Sequence, residues 1–195
     1  HDEANVQGLA SAELSSYLRA GGPQSDDALP HLQRALEMFQ ALSDARPSDL
    51  DRMQRVALCH RYLVTFSLRI RRDEDAIAPP RLAAATDARR LAADPHDAAA
   101  KLDYSTDLGQ MAVCATRLGR AREALDLYLQ SLSYRRELWA SDRANVLARD
   151  RVMYTVKEFG ALQVDLGEWS GARTHLLEAV EHASALRGRM TGSAP

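Results

Sequence analysis

Proline and glycine are scarce in this 195-residue chain, at 7 and 10, and long stretches contain neither. Aromatic residues make up only 6%, while alanine and leucine recur throughout. Together these shortages disfavour sheet and favour helices packed through small residues. Cysteine is limited to Cys59 and Cys114, neither in a Cys-x-x-Cys pair nor beside a histidine cluster. That excludes a disulfide scaffold and argues against zinc; both read as small, semi-buried residues in a reducing compartment, so a cytoplasmic location is expected. No apolar run approaches the roughly 18 residues that a membrane span needs, and no signal peptide is visible. An excess of one charge is also missing. Lys+Arg number 25 against Asp+Glu 27, for a net charge of −2, which gives no electrostatic case for nucleic acid or an anionic membrane surface. Only Lys101 and Lys157 are lysines, and the arginine bias suits bidentate pairing with carboxylates. The chain opens on His1 rather than methionine, so a longer parent polypeptide is expected.

What is present is 46% apolar residues, ample for a core, arranged in a repeat with an offset of 48 positions. Leu118-Gly119 recurs as Leu166-Gly167, and the turn at Pro47-Ser48-Asp49 recurs as Pro95-His96-Asp97. Ala28, Ala76, Ala124 and Ala172 form one column, and Leu36, Ala84, Leu132 and Val180 another. Each unit reads as two helices. In the third, Leu108, Met111, Ala112, Ala115 and Leu118 make one stripe, Gly119-Arg120 punctuates, and Ala124, Leu125, Tyr128, Leu129 and Leu132 make the second. Pro95 suits the start of a helix and Asp97 its cap. Four repeats are expected, at 1–44, 45–92, 93–140 and 141–187, forming a single domain with a disordered tail at 188–195. One isolated pair cannot cover both its faces, so neighbouring pairs must stack into a continuous core.

The second unit breaks the rule. Arg71 stands where the third has Gly119, and Pro79-Pro80 falls where a helix should already be running. A loop through 71–75 is expected, with the helix starting near Pro79 or Pro80. Gly21 to Asp27 reads as a similar, longer hinge.

Leu108-Gly109, Gly119, Ala124, Tyr128 and the Asp94-Pro95 punctuation resemble the tetratricopeptide pattern of Leu-Gly, Gly, Ala, aromatic and Pro. The longer unit is similar to arrays on the C-terminal side of bacterial serine/threonine kinase domains. The resemblance implies an all-α fold, a right-handed superhelix of antiparallel helix pairs whose first helices line a concave groove. It implies a scaffold or regulatory module binding a protein or peptide; a regulatory segment of a kinase and a small-ligand sensor are the alternatives. By register with the family, the groove carries Tyr62, Phe66 and Arg69 in the second unit, Asp107, Gln110 and Arg117 in the third, and Glu158 and Asp165 in the fourth. Aromatic and arginine side chains suit hot-spot contacts. Tyr62 and Phe66 equally suit packing in the interior.

Catalysis finds no anchor in the sequence. There is no Gly-x-Ser-x-Gly elbow, no phosphate-cradling glycine loop and no kinase signature, so neither enzyme activity nor a cofactor is expected. His175, Glu178 and His182 share a spacing that suits a metal-binding helix face, but two histidines at i and i+4 are lacking, so a solvated polar face is the reading adopted. Asp103, Asp107, Glu123 and Asp126 read as solvated or arginine-paired. The clusters Arg120, Arg122, Glu123 and Arg135, Arg136, Glu137 fit surface pairing. After the fourth pair no solvating helix follows, so Leu176, Leu177, Val180 and Leu186 are expected to leave an apolar strip, a candidate homodimer or interdomain contact.

Overall fold

The computed structural model describes residues 3–71 and 76–191, with side chains to 188. Eight α-helices are described: α1 (Glu3–Arg19), α2 (Leu29–Ala45), α3 (Leu50–Arg69), α4 (Ala78–Ala93), α5 (Ala98–Arg117), α6 (Ala121–Ser141), α7 (Val146–Asp165) and α8 (Trp169–Thr191). The described residues contain no strand, and from α1 to α4, and again from α5 to α8, helices pack on their neighbours in chain order, as in an all-α helical solenoid.

The joints between successive pairs repeat at the offset of the sequence. Asp49, Asp97 and Asn145 each accept a hydrogen bond from the backbone N–H three residues on, at 3.2, 2.9 and 2.9 Å. Each thereby satisfies a donor that the first turn of a helix leaves without a partner. Within the later pairs, Gly119 and Gly167 take positive φ values of 71° and 74°. The following N–H returns to the carbonyl five residues back, Arg120 to Ala115 and Glu168 to Gln163, both at 2.8 Å. This is the left-handed helix stop for which glycine is suited. Arg71 holds the same place in the second pair with φ 62°, without glycine's freedom. Beyond it, residues 72–75 of the expected loop lie outside the described residues, and α4 opens with Pro79 and Pro80 in its first turn, where proline's missing N–H costs nothing.

By its contacts the chain divides into two compact units, His1–Ala100 and Lys101–Pro195. In the first unit, α2 turns Leu32, Ala35, Phe39 and Leu42 inward against Ala10, Leu14 and Tyr17 of α1 and Val56 and Cys59 of α3. Each large buried side chain contributes about 1.5–3 kcal/mol. The expected hinge at 21–27 is instead structured as two 3-10 turns, Gly22–Gln24 and Asp26–Ala28. In the second unit, Leu108, Ala112 and Ala115 of α5 meet Ala124, Leu127 and Tyr128 of α6, joined by Phe159 and Leu162 of α7. Leu132 of α6 packs with Val152 and Val156 of α7 and Ala179 of α8. Gly160 lets α8 close on α7: a Cβ there would stand 2.9 Å from Leu176 Cγ. The tail expected from position 188 is helical to Thr191, since no proline interrupts it before the chain end; 192–195 lie outside the described residues.

Candidate functional site

The first unit places its three expected groove residues at different depths. Tyr62 is half-buried, its ring 5.1 Å from that of Tyr17. Phe66 is buried, with the Arg69 guanidinium 4.9 Å over its face. Arg69 also pairs with Asp26, fastening the end of α3 to the second 3-10 turn. Cys59, one turn before Tyr62, is fully enclosed, and burial pushes its thiol up to about 12, so no thiolate nucleophile is available at neutral pH.

In the second unit Asp107 is completely buried and Gln110 half-buried, while Arg117 is exposed. Glu158 on α7 pairs with Lys157 at 2.8 Å, a contact that raises the lysine's pKa, and Asp165 is exposed at the end of the same helix. The surface position of Glu158 and Asp165 draws in residues that the sequence reading missed. Tyr154, one turn before Glu158, is 48% exposed, and Leu147, two turns further back, is 56% exposed. The Lys157 ammonium lies 4.9 Å from the Tyr154 ring centroid, within range of a cation–π contact. Leu147, Tyr154, Glu158 and Asp165 share one face of α7 by helical spacing. The signal for Tyr154 was its place one turn from Glu158; its own repeat column gives Thr106 one unit earlier and so carries no aromatic mark.

One charge expected on the surface turns out to be an internal tie. Arg135 is buried and donates to the backbone carbonyls of Arg151 (3.1 Å) and Ser105 (3.3 Å) and to the Thr155 hydroxyl. Its side chain therefore joins α5, α6 and α7. Burial, then the nearby Arg151, lowers its pKa to about 10, which leaves it charged at neutral pH. Gly109 makes room for it: a Cβ at 109 would stand 3.2 Å from Arg135 Nη2. The surface reading of Arg135 is thus corrected, because a helix tie and a solvated face share the same spacing; Asp107 is buried rather than solvated. Arg136 and Glu137 do pair at the surface, with Glu178 (2.6 Å) and Lys101 (2.5 Å).

The histidines of α8 are engaged with neighbours rather than forming one solvated face. His175 hydrogen-bonds Gln163 at 2.7 Å and lies 4.5 Å from the Phe159 ring. His182 is buried, accepts from Arg149 and stacks edge-on to Trp139 at 4.8 Å. Among the described residues no group of three or more His, Cys, Asp or Glu side chains gathers as a cation site, and no helix is long and apolar enough to cross a membrane.

One cavity of about 410 Å³ lies in the first unit where α3 begins. Phe39 and Leu42 form its apolar wall, and Asp49, Asp51, Arg52 and Arg55 supply both signs of charge. Arg52 is held there by Glu3 at 2.7 Å and by the Leu42 carbonyl at 2.9 Å.

No family model matches the chain, and no curated protein matches it. The crystal structure of BtubC (BKLC) from P. vanneervenii is similar over 97% of this chain and 94% of its own, at 14% identity and a TM-score of 0.37. A likeness that loose carries no argument about function.

Proposed function

We propose that the chain is a protein-binding helical-repeat module of tetratricopeptide type, and that it takes its partner on the exposed face of α7. The observation that carries this is a large, half-exposed tyrosine set between an exposed leucine and acidic side chains on one helix face. Tyr154 and Leu147 supply apolar area, while Glu158 and Asp165 supply orientation. That combination suits an extended or helical segment carrying apolar anchors beside basic residues. A tyrosine loses little conformational freedom on binding, which makes it an effective anchor.

The test is affinity capture from the source organism's extract with the intact chain, followed by binding of the purified partner to Tyr154→Ala and Glu158→Lys/Asp165→Lys chains. A partner whose affinity falls tenfold or more with these changes supports the reading, a loss of about 1.4 kcal/mol. A partner that binds all chains equally removes α7 from consideration.

A second reading, sensing of a small ligand, is favoured by the cavity at the start of α3, whose volume falls within the range of ligand sites. Its mixed charge suits a zwitterion such as an amino acid. A thermal shift with free amino acids that Arg55→Ala abolishes supports this reading; unchanged melting across the set counts against it.

A further inference from the structure

Among the described helices, α8 presents a face whose counterparts earlier in the repeat are covered. Val180 stands in the column of Leu36, Ala84 and Leu132. Ala84 and Leu132 are 8% and 1% exposed, and Leu132 is shut in by α7, the first helix of the following pair. Val180 is 60% exposed. Leu177 beside it and Trp169 at the start of α8 are also open, Trp169 at 69%. Apolar exposure concentrated along one helix face marks an association site rather than ordinary surface.

The charge pattern along this face identifies the occupant. Arg173, Leu177, Val180 and Ser184 step by four, three and four, which is the spacing of a helix–helix seam. Both Arg173 and Glu181 are exposed, and among the described residues neither forms a salt bridge. We propose that α8 pairs with α8 of a second copy, antiparallel, about a two-fold axis between Leu177 and Val180. That axis sets Leu177 of each copy against Val180 of the other. It brings Arg173 of each copy opposite the small Ser184 of the other, one turn from that copy's Glu181. The face is therefore complementary to itself, as an isologous dimer requires. A helix of 23 residues is about 35 Å long, enough for the seam to run through several turns. This surface lies on a different helix from the face of α7 proposed for the partner.

Sedimentation velocity of the intact chain across a wide concentration range tests the pairing. A reversible monomer–dimer equilibrium is expected. Val180→Asp, at an exposed position that leaves the helical circular dichroism unchanged, should raise the half-dissociation concentration about tenfold or more. Arg173→Glu and Glu181→Arg should each weaken the dimer, and the doubly exchanged chain should recover it. A monomer at every concentration overturns the proposal and assigns the face to another occupant. A dimer indifferent to Val180→Asp, or growth into open-ended oligomers, overturns it too. Weakening by both single exchanges without recovery in the double overturns the antiparallel register. Tyr154→Ala should leave the dimer intact, so failure here and failure of the partner-binding reading are separable.

Discussion

Arg149 donates its Nε–H to Nδ1 of His182 across 3.1 Å. Nδ1 can accept only if the ring proton sits on Nε2, which lies 3.6 Å from Glu178 Oε1. His182 is therefore held neutral between a cation on one side and a carboxylate on the other. Trp139 closes the cluster, with Arg143 3.8 Å and Arg149 5.4 Å from its ring centroid.

Burial, and then the Arg149 charge, lower the pKa of His182 below its ordinary value, against the opposing pull of Glu178 and Glu181. In the unfolded chain the ring titrates near pH 6.5. Between the folded and unfolded values the unfolded chain binds more protons, so stability rises with pH there. The contribution is complete above about pH 6.5 and is lost as the pH falls through the lowered folded value. His60 is depressed by burial in the same direction and adds a slope of the same sign. Melting followed from pH 7.5 down to 5 should show falling Tm, and His182→Asn should flatten part of the fall. A contribution of 1 kcal/mol appears as about 2–4 °C in a chain of this size. An identical slope in the variant would mean that His182 is not held neutral.

Asp87 is fully buried, pairs with Arg61 of α3 and accepts from Arg90 at 2.8 Å on its own helix. Replacing it with leucine takes a counter-charge from two enclosed guanidiniums. Removing one partner of a buried pair costs about 3–5 kcal/mol, whereas replacing the whole group by apolar residues is close to neutral. Asp87→Leu should therefore lower the urea midpoint sharply. Asp97, 3.2 Å from Arg90, remains as a partial substitute, so the loss should fall toward the lower end of that range.

The pairing of helices, the turn at Gly119 and the cap at Asp97 were legible because each depends on local chemistry that the repeat restates. Depth was not. Phe66 and Asp107 were assigned to a groove by register, and register gives the angle of a side chain around its helix without saying what lies opposite. Asp87 and Arg135 occupy one column with Phe39 and Ala183. A position whose chemistry changes from aromatic to acid to base to methyl shows no apolar periodicity, although its three largest members are all buried. Tyr154 was missed for the related reason that its repeat partner is a threonine.

Two glycines inside helices make opposite predictions. At Gly160 an added methyl would meet Leu176 Cγ at 2.9 Å and Cδ2 at 3.1 Å. Overpacking of this kind costs about 1–3 kcal/mol, and Gly160→Ala should destabilise by that amount in urea. Gly8, exposed within α1, has nothing within 4 Å of a Cβ. There alanine only restricts the unfolded chain and favours the helix, so Gly8→Ala should stabilise by about 0.5–1 kcal/mol.

Arg71 offers a stabilising change that its repeat already specifies. Its φ of 62° puts a β-carbon in the left-handed region, where Gly119 and Gly167 carry none. The Arg71 N–H returns to the Leu68 carbonyl at 3.4 Å, compared with 3.0 Å for the glycines at the same step. Left-handed backbone costs a residue with a side chain about 1–2 kcal/mol, partly offset by glycine's greater freedom in the unfolded chain. Arg71→Gly should thus raise stability by roughly 0.5–1 kcal/mol, read as a higher urea midpoint at unchanged m. A lower midpoint would mean that the Arg71 side chain contributes more than its backbone costs.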